Sequence, residues 1–248
     1  MVSVRSAFPP GVERRIGDLS VHVRTVGDRE YWLAQTGVGL EKAGRRAAQL
    51  LDHQSFSLAI SSGFACALMA AHIGALLVSR EVMHQGTGHD ELSETVDVPG
   101  EERDLVLTFV DTVVPPAHIG RFVSTDRVVG RASEKEQLAQ RTGAIGLDME
   151  SFALAAQARR TRVPFVIIRS VSDLLDEDLP LDFNLFLRPT GWLKGIGAVL
   201  SAPSCLLGLG RLRHQSVVAG EALTDFFRRY AVAMATKRRE EELSATQS

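Results

Sequence analysis

Two carboxylates stand where acid–base chemistry could be done. Asp173 closes the run VPFVIIRSVSD, Val163–Asp173, and Glu150 lies inside LDMES, Leu147–Ser151. A carboxyl at the end of a buried strand can cap a following helix. With its pKa raised by burial, it can instead donate a proton as a general acid. A Glu at a helix start either complements the helix dipole or accepts hydrogen bonds from a bound hydroxyl. Arg169 and Ser172 stand beside Asp173. They are either an ordinary strand end or groups that orient the acid and tune its pKa. Met149 is either core or a flexible apolar floor. Gly37 and Gly39 form a glycine loop of a kind that serves many folds.

Metal chemistry finds little support. The seven His are scattered; only His84 and His89 lie close together, at a spacing that puts no pair on one helix face. They read as loop residues. With two Cys, at Cys66 and Cys205, there is neither a disulfide framework nor a CxxC pattern. No metal and no organic cofactor is expected.

The elements that must position these residues follow from the pattern. Val21–Val26 and Tyr31–Ala34 flank the turn signal Gly27-Asp28. Thr36-Gly37-Val38-Gly39 leads into a helix, Leu40–Leu51. Phe56–Ile60 reads as a short strand running into a loop at Ser61-Ser62-Gly63, and Ala75–Ser79 as another strand. Leu105–Val114 fits strand or helix. Arg121–Val123 reads as a strand, Glu134–Arg141 as a helix with Ser133 as N-cap, and Asp148–Arg160 as a second helix. Pro164–Ser170 is a continuous apolar run, hence a buried strand. After Pro180 the chain reads as helical, ending in Val217–Lys237. Residues 1–16 make a poorly defined start and 238–248 a frayed tail around a single domain, 1–248. Alternating strands and helices imply an α/β fold with a mixed sheet. Ligands of such folds collect at the carboxyl ends of strands, here the loops after Ala34, Ile60, Val123 and Ser170.

LDMES and VPFVIIRSVSD together resemble the signature of the purine nucleoside phosphorylase and methylthioadenosine/adenosylhomocysteine nucleosidase superfamily. There a Met-Glu pair precedes a helix and Arg-x-x-Ser-Asp ends the next strand. The blocks TGVGLEKA (Thr36–Ala43), ISSGFACAL (Ile60–Leu68) and GRFVSTDRVV (Gly120–Val129) follow the same family order. The resemblance covers most of Val21–Asp176. It implies a three-layer phosphorylase/hydrolase-like fold, a central mixed sheet flanked by helices, in a cytoplasmic homo-oligomer. It implies cleavage of a purine N-glycosidic bond by phosphorolysis or hydrolysis. Asp173 would be the general acid, aided by Arg169 and Ser172. Glu150 would hold the ribose hydroxyls and Met149 pack on the sugar. Val128 and Val129 would flank the base, largely through backbone. Gly63 and Phe64 would line the site. The partner is then a small purine nucleoside, with phosphate as the co-substrate if the reaction is phosphorolysis.

The chain departs from the family in three places. The family opens with a strand and a loop whose Glu, in the nucleosidases, activates water; MVSVRSAFPPGVERRIGDLS shows no such strand. Phe64 stands where Ser is usual, and with Cys66 it should narrow the pocket wall and weaken phosphate binding. Beyond Asp173, Leu179-Pro180 and LRPTGWLKGIGAVLSAPSCLLGLGRL resemble the hopanoid-associated branch, which is implicated in removing adenine from adenosylhopane. Trp192, Leu193, Ile196, Val199, Leu200, Leu206 and Leu207, flanked by Lys194 and Arg211, would then face a lipid-linked substrate or simply cover the sheet. The alternatives are a methylthioadenosine/adenosylhomocysteine nucleosidase, and a nucleoside-binding protein without catalysis.

Bulk properties exclude other classes. The chain has 248 residues, 45% of them hydrophobic, enough for one sizeable core. A net charge of -2 gives no footprint for nucleic acid. The apolar stretch Gly195–Leu209 is broken by Pro203 and is too short to cross a bilayer, so no stable membrane insertion is expected.

Overall fold

The computed structural model describes residues 4–86, 92–181, 183–184 and 203–246, with 203–207 and 237–246 as backbone alone. Val4–Ala7 forms a single 3₁₀ turn. Three antiparallel strands follow, β1 (Val12–Ile16), β2 (Leu19–Val26) and β3 (Arg29–Ala34). In β2 the residues Leu19, Val21 and Val23 alternate inward, so the register is set by burial of one face. Gly27 takes φ 63 at the hairpin, which a side chain would resist. The strand β1 escapes the sequence pattern because VERRI is exposed almost throughout. None of these strands joins the central sheet.

That sheet has eight strands: β4 (Ala59–Ala67), β5 (Leu76–Ser79), β6 (Glu81–Gln85), β7 (Val96–Asp97), β8 (His118–Ile119), β9 (Arg121–Thr125), β10 (Ala144–Asp148) and β11 (Phe165–Asp173). Their order is β7-β6-β9-β10-β4-β11-β5-β8. The pairs β4–β11, β9–β10, β6–β9 and β5–β8 are parallel; β10–β4, β11–β5 and β6–β7 are antiparallel. The sheet is mixed, as expected.

Among the described residues, five helices cover it: α1 (Leu40–His53), α2 (Glu101–Val110), α3 (Ala132–Thr142), α4 (Ser151–Thr161) and α5 (Pro203–Thr246). On one face Phe165, Ile167 and Val171 of β11 meet Ala155 and Ala158 of α4. On the other face Val166 and Ile168 meet Val106 and Val110 of α2 and Leu223, Phe226 and Tyr230 of α5. Such alternation is the period of a strand buried on both sides. At the far end of that second face, α3 lays Leu138 over Cys66, Val123, Val129 and Leu147.

Several sequence expectations are corrected. Ser61-Ser62-Gly63 is strand, not loop, because β4 pairs with β11 along its length from Ala59 to Cys66. Asp148 ends a strand and α4 begins only at Ser151. AIGLD is short and carries Gly146 at its centre, so it gives little strand signal until β9 and β4 pair with it on both sides. Of the ambiguous stretch Leu105–Val114, the part up to Val110 is helix and belongs to α2, with Glu101, Glu102 and Asp104 in its first turn, and Asp111–Val114 lies beyond it. Arg131, not Ser133, occupies the N-cap of α3, and no side chain caps it. His84 lies in β6, where it meets Asp126 at 3.0 Å and stacks on Phe152. His89 and the residues Trp192–Leu200 of the apolar tail lie outside the described residues, as do the side chains of Leu206 and Leu207.

Gly146 is held to glycine by contact. A Cβ there would collide with the ring of Phe122 and with Leu77, both fully buried. Gly146→Ala should therefore cost roughly 1–3 kcal/mol by overpacking. Chemical denaturation should show it as a lower midpoint with an unchanged slope; a wild-type midpoint would mean that the ring has room to move.

Candidate active site

The site is assembled around Arg169. Its residue faces Gly63 in the register of β11 on β4. A Cβ at Gly63 would stand 2.9 Å from Arg169 Nη1, so this glycine leaves space for the guanidinium. Nη1 donates to the Phe64 carbonyl at 3.0 Å. Nη2 lies 2.8 Å from Asp148 Oδ2 and donates to Ser61 Oγ at 3.0 Å and Ser151 Oγ at 3.1 Å. Glu150 Oε2 is 3.6 Å away. Arg169 and Asp148 are both buried.

Asp148 explains why α4 starts where it does. Its Oδ1 accepts the backbone N–H groups of Glu150 and Ser151, both at 3.1 Å, and the Ser124 hydroxyl at 2.6 Å. Its Oδ2 accepts the Ser151 hydroxyl. The carboxylate therefore serves as a cap for the helix and as a counter-ion for Arg169. Glu150, set by this turn, accepts the Gly39 N–H at 3.1 Å. Gly39 holds φ 90, a conformation that favours glycine. The glycine loop and the Met-Glu pair, far apart in sequence, thus meet. Burial pushes the Glu150 carboxyl above its ordinary pKa, Arg169 pulls it back, and Asp148 pushes it up again. Met149 beside it is half-buried.

Asp173 belongs to a second cluster. The register between β11 and β4 shifts between Val171 and Asp173, bringing Asp173 opposite Cys66. An extra residue of this kind re-aims the side chains beyond it. In a regular strand Arg169 and Asp173 would share a face. After the shift, Arg169 points toward Ser151 of α4, and Asp173 toward α3. There Lys135 Nζ donates to Asp173 Oδ1 at 3.0 Å. Burial raises the Asp173 pKa above its ordinary value, while Lys135 and then the Cys66 thiol oppose the rise. Arg169 therefore serves Glu150 rather than Asp173, contrary to the sequence expectation. Ser172 is half-buried between the two clusters, and the groups that meet the Asp173 carboxyl are Lys135 and Cys66.

The remaining expected residues separate. The Phe64 ring packs against the α2–α5 core rather than narrowing a pocket. The side chain of Val129 is buried among Cys66, Leu138 and Leu147. Val128 has both backbone groups engaged by Asn184: its N–H donates to Oδ1 at 2.8 Å, and its carbonyl accepts Nδ2 at 2.9 Å. Among the described residues, no group of His, Cys, Asp and Glu is arranged to hold a metal.

Sequence reasoning missed Asp148, Lys135, Cys66 as a neighbour of the acid, and Asn184. Asp148 carried a readable signal, an Asp just ahead of a helix. Lys135 carried one as well. It lies three residues before Leu138 and seven before Thr142, on the buried face of α3, yet inside SEKEQ it reads as solvated charge. No local pattern marks Asn184.

The family model of the phosphorylase superfamily matches residues 7–188. The chain belongs to the phosphorylase superfamily. Within that superfamily it is similar to the 5'-methylthioadenosine/S-adenosylhomocysteine nucleosidase of Halalkalibacterium halodurans, with 27% identity over 81% of this chain and 89% of the relative. Its fold is similar to that of the S-adenosylhomocysteine nucleosidase of Streptococcus pyogenes in complex with 5-methylthiotubericidin. The TM-score is 0.68 at 16% identity, over 92% of this chain and 89% of the other. A futalosine hydrolase mutant of Helicobacter pylori shares it at TM-score 0.59 and 19% identity, over 77% and 88% of the two chains. These likenesses agree with the expected superfamily and with its three-layer arrangement.

Glu150 yields a prediction whose sign can be worked out. Its folded pKa is raised above the ordinary 4.5. Its stabilising contribution is therefore complete below about pH 4.5 and is lost as pH rises through the folded value. Near neutrality the charged group costs stability. Glu150→Gln keeps an acceptor for the Gly39 N–H, so it should melt higher than wild type at pH 7, and the gap should close on acidification toward 4.5. Thermal melts at both pH values check this, and a gap of either sign that ignored pH would refute it.

Proposed function

We propose that this phosphorylase-superfamily chain hydrolyses the N-glycosidic bond of an adenine-type nucleoside with a substituent on the ribose 5′ carbon. One observation carries the reading. A half-buried Asp173 with a raised pKa and a Glu150 anchored by Arg169 stand on either side of β4. Leu147, Cys66 and Asp173 lie side by side across β10, β4 and β11. The two flanking backbones are then two strand spacings apart, about 10 Å.

The chemistry uses both carboxyls differently. Protonated Asp173 donates to a ring nitrogen in the five-membered ring of the base. The bond to C1′ breaks with its electron pair on the base. Glu150 accepts hydrogen bonds from the ribose hydroxyls and sets negative charge against the developing oxocarbenium ion. Water adds to C1′ and releases its proton. Met149 forms an apolar floor for the sugar. The nucleophile is read as water rather than phosphate because both cations of the cluster are already committed. Arg169 is taken by carboxylates, hydroxyls and a carbonyl, and Lys135 by Asp173 and two carbonyls. The nucleosidases among its relatives support the same choice. The expected homo-oligomer and cytoplasmic setting belong to this reading.

The test is release of free base from a panel that varies the 5′ group, with and without phosphate. The panel should include methylthioadenosine, adenosylhomocysteine and a 5′ hopanoid adenosine. Release regardless of phosphate is expected. Release only with phosphate would replace hydrolysis by phosphorolysis, and binding without release would make the chain a carrier or sensor. Asp173→Asn should fold and lose roughly 100-fold or more in turnover. Near-normal turnover would remove Asp173 as the acid. Substrates lacking the 2′ hydroxyl should react poorly, because Glu150 has lost a partner.

A further inference from the structure

Lys135 has a side chain with 0% exposure, although α3 presents its other charged residues to solvent. A fully buried lysine is rare unless it is paired. Its ammonium has three protons and three partners. They are Asp173 Oδ1 at 3.0 Å, the Leu174 carbonyl at 2.8 Å and the Glu177 carbonyl at 2.6 Å. A neutral amine would still have two N–H groups, enough for both carbonyls. Its lone pair would then face Asp173. The proton between Lys135 and Asp173 is thus the one that can move without breaking a bond to the backbone.

We propose that Lys135 is the proton partner of Asp173, a positioning residue that shares one proton with the acid and supplies it when the base departs. The inference rests on the reading of Asp173 as the general acid. In balanced form, the Lys135 ammonium passes a proton to the Asp173 carboxylate and becomes an amine. Asp173 passes a proton to the ring nitrogen as the bond from C1′ to the base breaks, its electron pair going to the base. Water forms the new bond to C1′, and the proton it loses returns the pair to its starting state. No metal, oxidant or further reactant is needed.

Among the described residues, the other charges around the pair are accounted for. The Cys66 thiol faces Asp173 from β4. Glu177, on the turn after β11, is held by Gln215 at 3.0 Å and Arg211 at 3.5 Å, both from α5. On α3 itself Glu134 pairs with Arg127, and Glu136 is exposed. The shared proton therefore has Lys135 and Asp173 as its two ends.

Three variants and one measurement on the wild type test the idea, with adenine release from methylthioadenosine followed across pH. Lys135→Arg keeps the positive charge but cannot give up a proton. It should lose roughly 10-fold or more of kcat at every pH, with KM nearly unchanged. Lys135→Met leaves Asp173 to titrate alone in an apolar site. Its alkaline limb should move toward acid by about one pH unit or more, since the wild-type limb belongs to the pair. If the Arg variant turned over like wild type with an unshifted profile, Lys135 would be only a structural tie. Asp173→Asn, run in parallel, separates the two failures: full activity there sinks the acid itself, whereas loss there with a normal Arg variant sinks only the relay. Should the variants not fold, carbon NMR of the wild type decides. The Lys135 side-chain signal should shift together with the Asp173 carboxyl as pH is varied, and independent titration of the two would overturn the proposal.

Discussion

The buried ion pair of Arg169 and Asp148 holds the chemistry in place. One guanidinium joins β11 to β4 through Ser61 and the Phe64 carbonyl, and to α4 through Ser151. One carboxylate ties β10 to Ser124 on β9 and caps the start of α4. Each polar atom is costly to bury alone and has little room to relax. Losing either charge would strand the other, at about 3–5 kcal/mol. The same two groups fix the turn that carries Met149 and Glu150. Stability of the sheet centre and placement of the Glu150 carboxylate are therefore one problem with one solution.

A single irregularity then divides the site in two. Without the register shift between Val171 and Asp173, both carboxyl clusters would crowd onto one face with Arg169. The shift sends Asp173 to the α3 face, where, among the described residues, Lys135 is the cation that meets it. That separation gives the two carboxyls different neighbours, Lys135 and Cys66 for Asp173, Arg169 and the Gly39 N–H for Glu150. Their environments differ because neighbouring residues on one strand are aimed to opposite sides.

How much of this was legible follows from the physics of each element. Long apolar runs gave β11 and β2, because burial of whole faces leaves a periodic trace. Met149, Glu150 and Asp173 were marked by a resemblance to a family signature, and what each of them bonds to was not part of that signature. The strand β10 was not, since a Gly-centred run of five residues owes its conformation to its neighbours on both sides. Nor was β1, whose side chains are exposed. The division of labour between Arg169 and Lys135 was hidden for a related reason. It depends on a register shift, which no local composition announces. Lys135 had the spacing of a core position, but its charged neighbours in SEKEQ masked it.

The choice of cation at each cluster matches the work of its carboxyl. Burial pushes both Glu150 and Asp173 toward the neutral form, and in each case a nearby cation opposes it. Arginine does not give up its proton in a protein, so beside Glu150 it can only favour the charged acceptor. In the proposed relay the ammonium beside Asp173 has a proton to share, which a guanidinium in its place would not. Exchanging the two cations would conserve net charge and would leave the fold's ion pairs formally intact. Under the proposed reaction it would also place a proton source where the developing cation needs a steady negative charge, and a fixed cation where the departing base needs a proton. The geometry of the sheet brings the groups together, and under the proposed reaction the difference between guanidinium and ammonium decides which carboxyl acts as the acid.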